Sequence, residues 1–139
     1  MFYAAKIIKD KDMGYVASFP DKENVITSGS TLEQAREAAA EALNGTLETE
    51  LSLGMSLIEP KVLPNAKKNL YAIDVHPELE IAYRLFEARR GKTKQEVAKA
   101  AGMTKQAYQR FETPAGNPTI ATLYRLAKAC GKHLEIRLV

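Results

Sequence analysis

One cysteine, two histidines and no long apolar run narrow the field before any pattern is read. With Cys130 alone, no disulfide can close within the chain, which fits a reducing compartment. No stretch approaches the roughly 18 consecutive apolar residues of a membrane-spanning helix. The opening residues, MFYAAKIIKDKD, lack a signal peptide's basic start, apolar core and small-residue cleavage site. These absences predict a cytoplasmic chain with no membrane partner. His76 and His133 lie far apart and lack metal-ligand spacing, so neither a metal site nor a cofactor is expected. What is present, 45% apolar and 27% charged residues, is the composition of an ordinary globular protein.

The net charge of +3 hides a division. Residues 1–60 hold ten acids and five bases, whereas residues 61–139 hold seven acids and fifteen bases. A split of this size suggests two modules with different partners. The basic half suits a polyanion. The acidic half suits a basic partner, or serves solubility alone.

The hydropathy pattern predicts a small α+β unit first. Residues 2–8, 15–19 and 25–28 read as strands, the first two joined as a hairpin through the charged run ending at Gly14. Ser30 and Glu33 have the spacing of a capping box. The helix that follows repeats apolar residues at Leu32, Ala35, Ala39, Leu43, Leu47 and Leu51, and Gly54 is its expected stop. Three strands and a helix make a two-layer, helix-on-sheet domain over residues 1–62. Residues 63–69, rich in proline, asparagine and lysine, read as a linker. Residues 70–139 then read as an all-helical domain with short flanking strands. Helices are expected over 79–90, 94–101, 105–112 and 120–129, with strands at 70–75 and 133–139. Leu134, Ile136 and Leu138 alternate with polar residues. They are read as a dimerisation strand, two protomers together supplying four strands where one protomer has only two.

The most informative segment is KQEVAKAAGMTKQAYQRFE, residues 94–112. It reads as a helix, a glycine turn at Gly102 and a second helix capped by Thr104. Val97, Met103, Tyr108 and Phe111 are placed between the helices, with Ala98 small enough for their crossing. Lys105, Gln106, Gln109 and Arg110 then face outward. Glutamine suits adenine, and lysine and arginine suit guanine and phosphate, so a solvated face is the weaker reading here. Lys94 and Gln95 either touch phosphate from a helix N-terminus or are ordinary helix-start residues. Lys92 and Lys99 add general electrostatic attraction. Together with NPTIATLYRLAKA after it, the span 93–131 resembles the phage-repressor-like helix-turn-helix family. That resemblance implies binding to double-stranded operator DNA as a dimer, with Lys94, Gln95, Thr104, Lys105, Gln106, Gln109 and Arg110 at the interface. It also implies an arginine paired with Glu112. Glu87 stands in that arginine's usual place, and Arg84 or Arg90 is expected to compensate.

The first half carries a second resemblance. GYVASFPD (residues 14–21) and TSGSTLEQAREAAAEAL (residues 27–43) are similar to the HicB antitoxin family. This implies a partial ribonuclease H-like fold ahead of the DNA-binding domain. It also implies a function, neutralising a small basic mRNA-cleaving toxin of the HicA kind and repressing the chain's own operon. This chain has Lys22-Glu23-Asn24 where family members often carry a Pro-Gly-Cys-type turn. Glu33, Glu37 and Glu41, four apart on one ridge with Arg36 nearby, are either a solvated face or the landing site of that toxin.

A ribonuclease H-like fold raises the question of catalysis, which would need carboxylates converging on divalent metal. The interior of the first strand has no acid, and Asp10, Asp12 and Asp21 cluster near turns. Cys130 shares a helix face with Leu123, Leu126 and Ala127, as a core thiol does. The chain is therefore not expected to be an enzyme. Two rivals to the antitoxin reading stay open: a repressor whose first domain senses a ligand or oligomerises, and an RNA-processing enzyme.

Overall fold

The alternation of the first thirty residues becomes a meander in the computed structural model, which describes residues 1–139. Strand β1 (Phe2–Asp10) turns into β2 (Gly14–Ser18), and β2 pairs antiparallel with β3 (Ile26–Gly29). Asp10 closes the first turn: its carboxylate accepts the amides of Asp12 and Met13 at 2.9 and 3.1 Å. Gly14 ends the turn at φ +76°, and a Cβ there would sit 2.6 Å from the Gly29 carbonyl oxygen.

Helix α1 (Leu32–Ser52) packs on one sheet face through Ala35, Ala39, Leu43, Leu47 and Leu51. Tyr3, Ala5, Ile7, Ala17 and Phe19 meet it as the alternating inward set. The cap lies one residue later than the sequence suggested. Thr31 accepts the Gln34 amide at 3.1 Å, and the Gln34 side chain accepts the Ser30 amide at 3.1 Å. Thr31 and Gln34 have the same spacing as Ser30 and Glu33, so both pairs satisfy the pattern and the structure uses the second. Gly54 stops the helix at φ +75°, with its amide on the Leu51 oxygen and that of Met55 on Glu50.

The largest departure concerns residues 57–75. Strand β4 (Leu70–Asp74) does not belong with the C-terminal helices; it pairs antiparallel with β1, from Phe2↔Asp74 to Lys6↔Leu70. The sheet order is β3-β2-β1-β4. Nine-residue β1 runs past the end of β2, and its Phe2–Lys6 half serves β4. The expected linker therefore lies within the first unit, and the chain divides into Met1–Pro77 and Glu78–Val139 rather than at residues 63–69. Asp21 straps the return, its carboxylate accepting the amides of Lys61 and Val62 at 2.8 and 2.7 Å. Asn44, buried on α1, donates to the Asp74 carbonyl at 3.0 Å and accepts the His76 amide at 2.7 Å.

The second unit is helical: α2 (Pro77–Ala88), α3 (Lys94–Ala100), α4 (Lys105–Phe111) and α5 (Ile120–Ala129). Its core gathers Leu85, Val97, Ala98, Ala101, Tyr108, Leu126 and Cys130. The expected strand over residues 133–139 is absent, since a lone tail has no second strand to pair with once β4 is taken by β1. Leu134 is half-buried, while Ile136 and Leu138 are 58% and 98% exposed. No helix is long and apolar enough to cross a membrane.

Candidate DNA-binding site

Two short helices become a rigid reading head when each end is capped and the turn between them is fixed. Thr93 caps α3 by accepting the Glu96 amide at 3.1 Å, and its hydroxyl donates to the Glu96 carboxylate at 3.2 Å. The far end closes on Gly102, at φ +72°. There the Met103 amide reaches the Ala98 oxygen at 3.0 Å and the Gly102 amide reaches Lys99 at 3.1 Å. One residue on, Thr104 caps α4 by accepting the Ala107 amide at 3.1 Å. Val97, Ala98 and Tyr108 are essentially inaccessible between the helices, and Met103 and Phe111 pack against them half-buried.

With Tyr108 turned inward, α4 presents Lys105, Gln106, Gln109 and Arg110 to solvent, with exposed Thr104 at its start. Gln95 is exposed on the first turn of α3, and Lys94 beside it is half-buried. Amide and guanidinium groups on one short face can hydrogen-bond base edges, and the lysines can neutralise phosphate. Cys130 is buried in the core beneath, and burial raises its pKa above the usual 9.0.

The ion pair behind α4 differs from expectation. The arginine on the Glu112 carboxylate is Arg89. Its Nε and Nη2 donate to the two carboxylate oxygens at 2.6 and 3.0 Å, and its Nη1 donates to the Lys92 carbonyl at 3.1 Å. The Tyr108 hydroxyl donates to the same carboxylate. Arg84 instead lies on the surface of α2, 3.6 Å from Glu80 and 3.8 Å from Glu87. The signal was available: Arg89 stands four residues after core residue Leu85, on the buried face of the last helical turn, where Arg84 and Arg90 do not. Beyond α4, Gly116 lies so close that a Cβ would meet the Arg110 carbonyl oxygen at 2.4 Å.

Residues 81–136 match the family model described as Helix-turn-helix. The match takes in α3, α4, α5 and most of α2, and leaves residues 1–80 unmatched. No curated protein matches the chain. The second unit is thus a helix-turn-helix DNA-binding domain, of the kind found in transcription regulators.

The acidic residues of the first unit are arranged differently from their sequence grouping. Glu33 and Glu37, with Arg36, line a groove between α1 and β4, whereas Glu41 lines another on the β3 side. Arg36 forms no ion pair with this ridge; its guanidinium lies over the Tyr71 ring, 5.5 Å from the centroid. Lys22, in the turn between β2 and β3, is buried and bonded to Glu50 of α1. The Asp10 and Asp21 carboxylates accept backbone amides at turns.

Proposed function

We propose that this chain is a DNA-binding antitoxin similar to the HicB family: its first unit neutralises a basic, RNA-cleaving toxin of the HicA kind, and its second represses the operon encoding both. The observation that carries this reading is the joining of a helix-turn-helix unit of net charge +6 (residues 78–139) to an α+β unit of net charge −3 (residues 1–77). Opposite charge speeds encounter and fixes orientation, which suits one unit for a polyanion and the other for a basic protein. The first unit acts by binding, not by catalysis, and should leave RNA intact in magnesium or manganese. Co-production with the protein encoded by the adjoining reading frame tests the reading: a stable complex that silences that protein's ribonuclease activity supports it. A folded chain that ignores its neighbour and still represses its promoter would return it to an ordinary repressor.

On the DNA side, Gln106→Ala should weaken specific operator binding by roughly 1–3 kcal/mol and leave non-specific binding nearly intact. Lys94→Ala should weaken all sequences alike and flatten the salt dependence. Fluorescence titrations at several salt concentrations separate the two, and parental behaviour in both variants would relocate the recognition face.

Operator binding as a homodimer rests on the tail. With β4 in the first unit's sheet, residues 133–139, which form no strand within one chain, would add at most one strand per protomer on pairing, not two. A two-stranded ribbon is marginal alone and needs an apolar support. Leu134, Ile136 and Leu138 bring that alternation, and Ile120 and Tyr124 on α5 are 66% and 52% exposed. Deleting residues 133–139 should dissociate the dimer in sedimentation and abolish operator binding while helicity is kept. A truncated chain that remains dimeric assigns the interface elsewhere.

A further inference from the structure

The groove between α1 and β3, about 800 Å³, is built unlike its counterpart on the β4 side. Strand β3 is the outer strand of the sheet, and its free side pairs with nothing. Outer strands are commonly blunted by being very short or by lysine, proline or a bulge. Ile26–Gly29 is short, at four residues, but holds no lysine, proline or bulge; its register with β2 is unbroken, and Ile26 is 68% exposed. The opposite edge is partly closed, by Asn44 on the Asp74 carbonyl and by the bridge from Asn65 to Leu70.

The wall of the groove is the flank of α1 carrying Ala38, Ala42, Gly45 and Thr46. Gly45 is the informative residue. Glycine weakens a helix interior relative to alanine. At Gly29 and Gly116 a Cβ would meet backbone at 2.4 Å, so the fold requires glycine there; at Gly45 a Cβ would meet no atom within 4 Å. Nothing inside the chain accounts for it, whereas a second backbone approaching from outside does. Exposed Leu53 and Met55 also line the groove. Of the helix's five glutamates, Glu41 and Glu50 line this groove; Glu50 is already paired with Lys22, which leaves Glu41 as the open carboxylate.

We propose that this groove receives a basic extended segment of a partner protein, added as a strand beside β3. Its inward side chains would pack on the Ala38–Ala42–Gly45 flank, and its lysines or arginines would meet Glu41. Main-chain pairing at an open edge supplies affinity, and charge sets direction. The inference rests on the antitoxin reading, with the toxin as partner. It narrows the contacts among Glu33, Glu37 and Glu41 to Glu41, since the other two face the β4 side.

The test uses the full chain and the protein encoded by the adjoining reading frame, titrated by calorimetry. Gly45→Leu should melt at or above the parent's temperature and bind that protein about tenfold or more weakly. Glu41→Lys should weaken binding similarly and slow association, and a Glu33→Lys, Glu37→Lys double variant should bind as the parent does. Parental affinity in folded Gly45→Leu and in Glu41→Lys overturns the proposal and leaves the antitoxin reading standing, as does a loss confined to the double variant. If Gly45→Leu instead changes the oligomeric state of the free chain in sedimentation, the groove belongs to a second copy and the proposal fails. If the adjoining protein binds neither parent nor variant, the antitoxin reading falls, and this inference with it.

Discussion

Arg89→Ala should destabilise the helix-turn-helix unit by about 3 kcal/mol, a large share of the stability of so small a domain. The size follows from burial. The side chains of Arg89 and Glu112 are 17% and 6% exposed, and the guanidinium engages both carboxylate oxygens. Removing the cation leaves a buried carboxylate with only the Tyr108 hydroxyl and little water to satisfy it. The partial exposure of Arg89 places the loss toward the lower end of the roughly 3–5 kcal/mol typical of a broken buried pair. Replacing both partners with apolar residues, Arg89→Met and Glu112→Leu, should recover much of it, because no charge is then stranded. Arg137→Ala, on a pair whose side chains are 75% and 67% exposed, should leave stability unchanged within error. Urea melts of the four proteins decide the matter, and a loss below about 1 kcal/mol for Arg89→Ala would show that the pair is solvated.

The same network sets an alkaline limit. Burial first, then the bond to Glu112, raises the Tyr108 pKa above its ordinary 10.0. The folded chain therefore holds that proton more tightly than the unfolded chain does. Its contribution is complete below about pH 10 and is lost as pH rises through the folded value. Tyr108→Phe should remove that slope, at the expense of one hydrogen bond.

How much of this was legible in the sequence depended on whether the controlling interaction was local. The motif helices were read nearly to the residue, since Thr93, Gly102 and Thr104 act within four residues of themselves. Helix α1 was legible for the same reason, and its cap slipped by one because two overlapping pairs satisfy the same spacing. Strand β4 was recognised as a strand but assigned to the wrong unit. Leu70–Asp74 has the same character whichever sheet it joins, and its partner, β1, lies more than sixty residues away. The turn chemistry of Pro60, Pro64 and Asn65 marked an interruption without saying where the chain would return. Arg89 is one of three arginines within seven residues, and the choice among them rests on how the last turn of α2 continues past Ala88. The division of the α1 glutamates between two grooves had no sequence signal, since a common ridge does not show which edge of the sheet each residue overhangs.

Lys22→Ala should cost about as much in the first unit as Arg89→Ala costs in the second. Lys22 reads from sequence as a loop lysine, yet only 6% of it is accessible. Its ammonium lies 2.7 and 2.6 Å from the two oxygens of Glu50, whose side chain is 12% exposed. The pair joins the turn between β2 and β3 to the last turns of α1, and Asn24 adds a weaker bond to Glu50 at 3.3 Å. Without the ammonium, Asn24 alone cannot satisfy a carboxylate so far removed from water, and a loss of about 3 kcal/mol follows. The pair itself need not be strongly stabilising, since much of its Coulomb energy offsets the desolvation of both ions. Hence Lys22→Met with Glu50→Leu should approach the parent's stability, whereas either single change should not. The exposed pair of Arg137 and Glu135, 75% and 67% accessible, is the control and should contribute nothing measurable. The comparison also separates fold from docking, because Glu50 and Glu41 line the same groove. Glu41 is exposed and makes no ion pair, so Glu41→Lys should leave the melting curve unchanged while altering partner binding. Lys22→Ala should lower the melting temperature of the free chain before any partner is added. If Lys22→Ala melted with the parent, Glu50 would have found water or another donor, and the turn would be held by Asp21 and its bonds to Lys61 and Val62 instead.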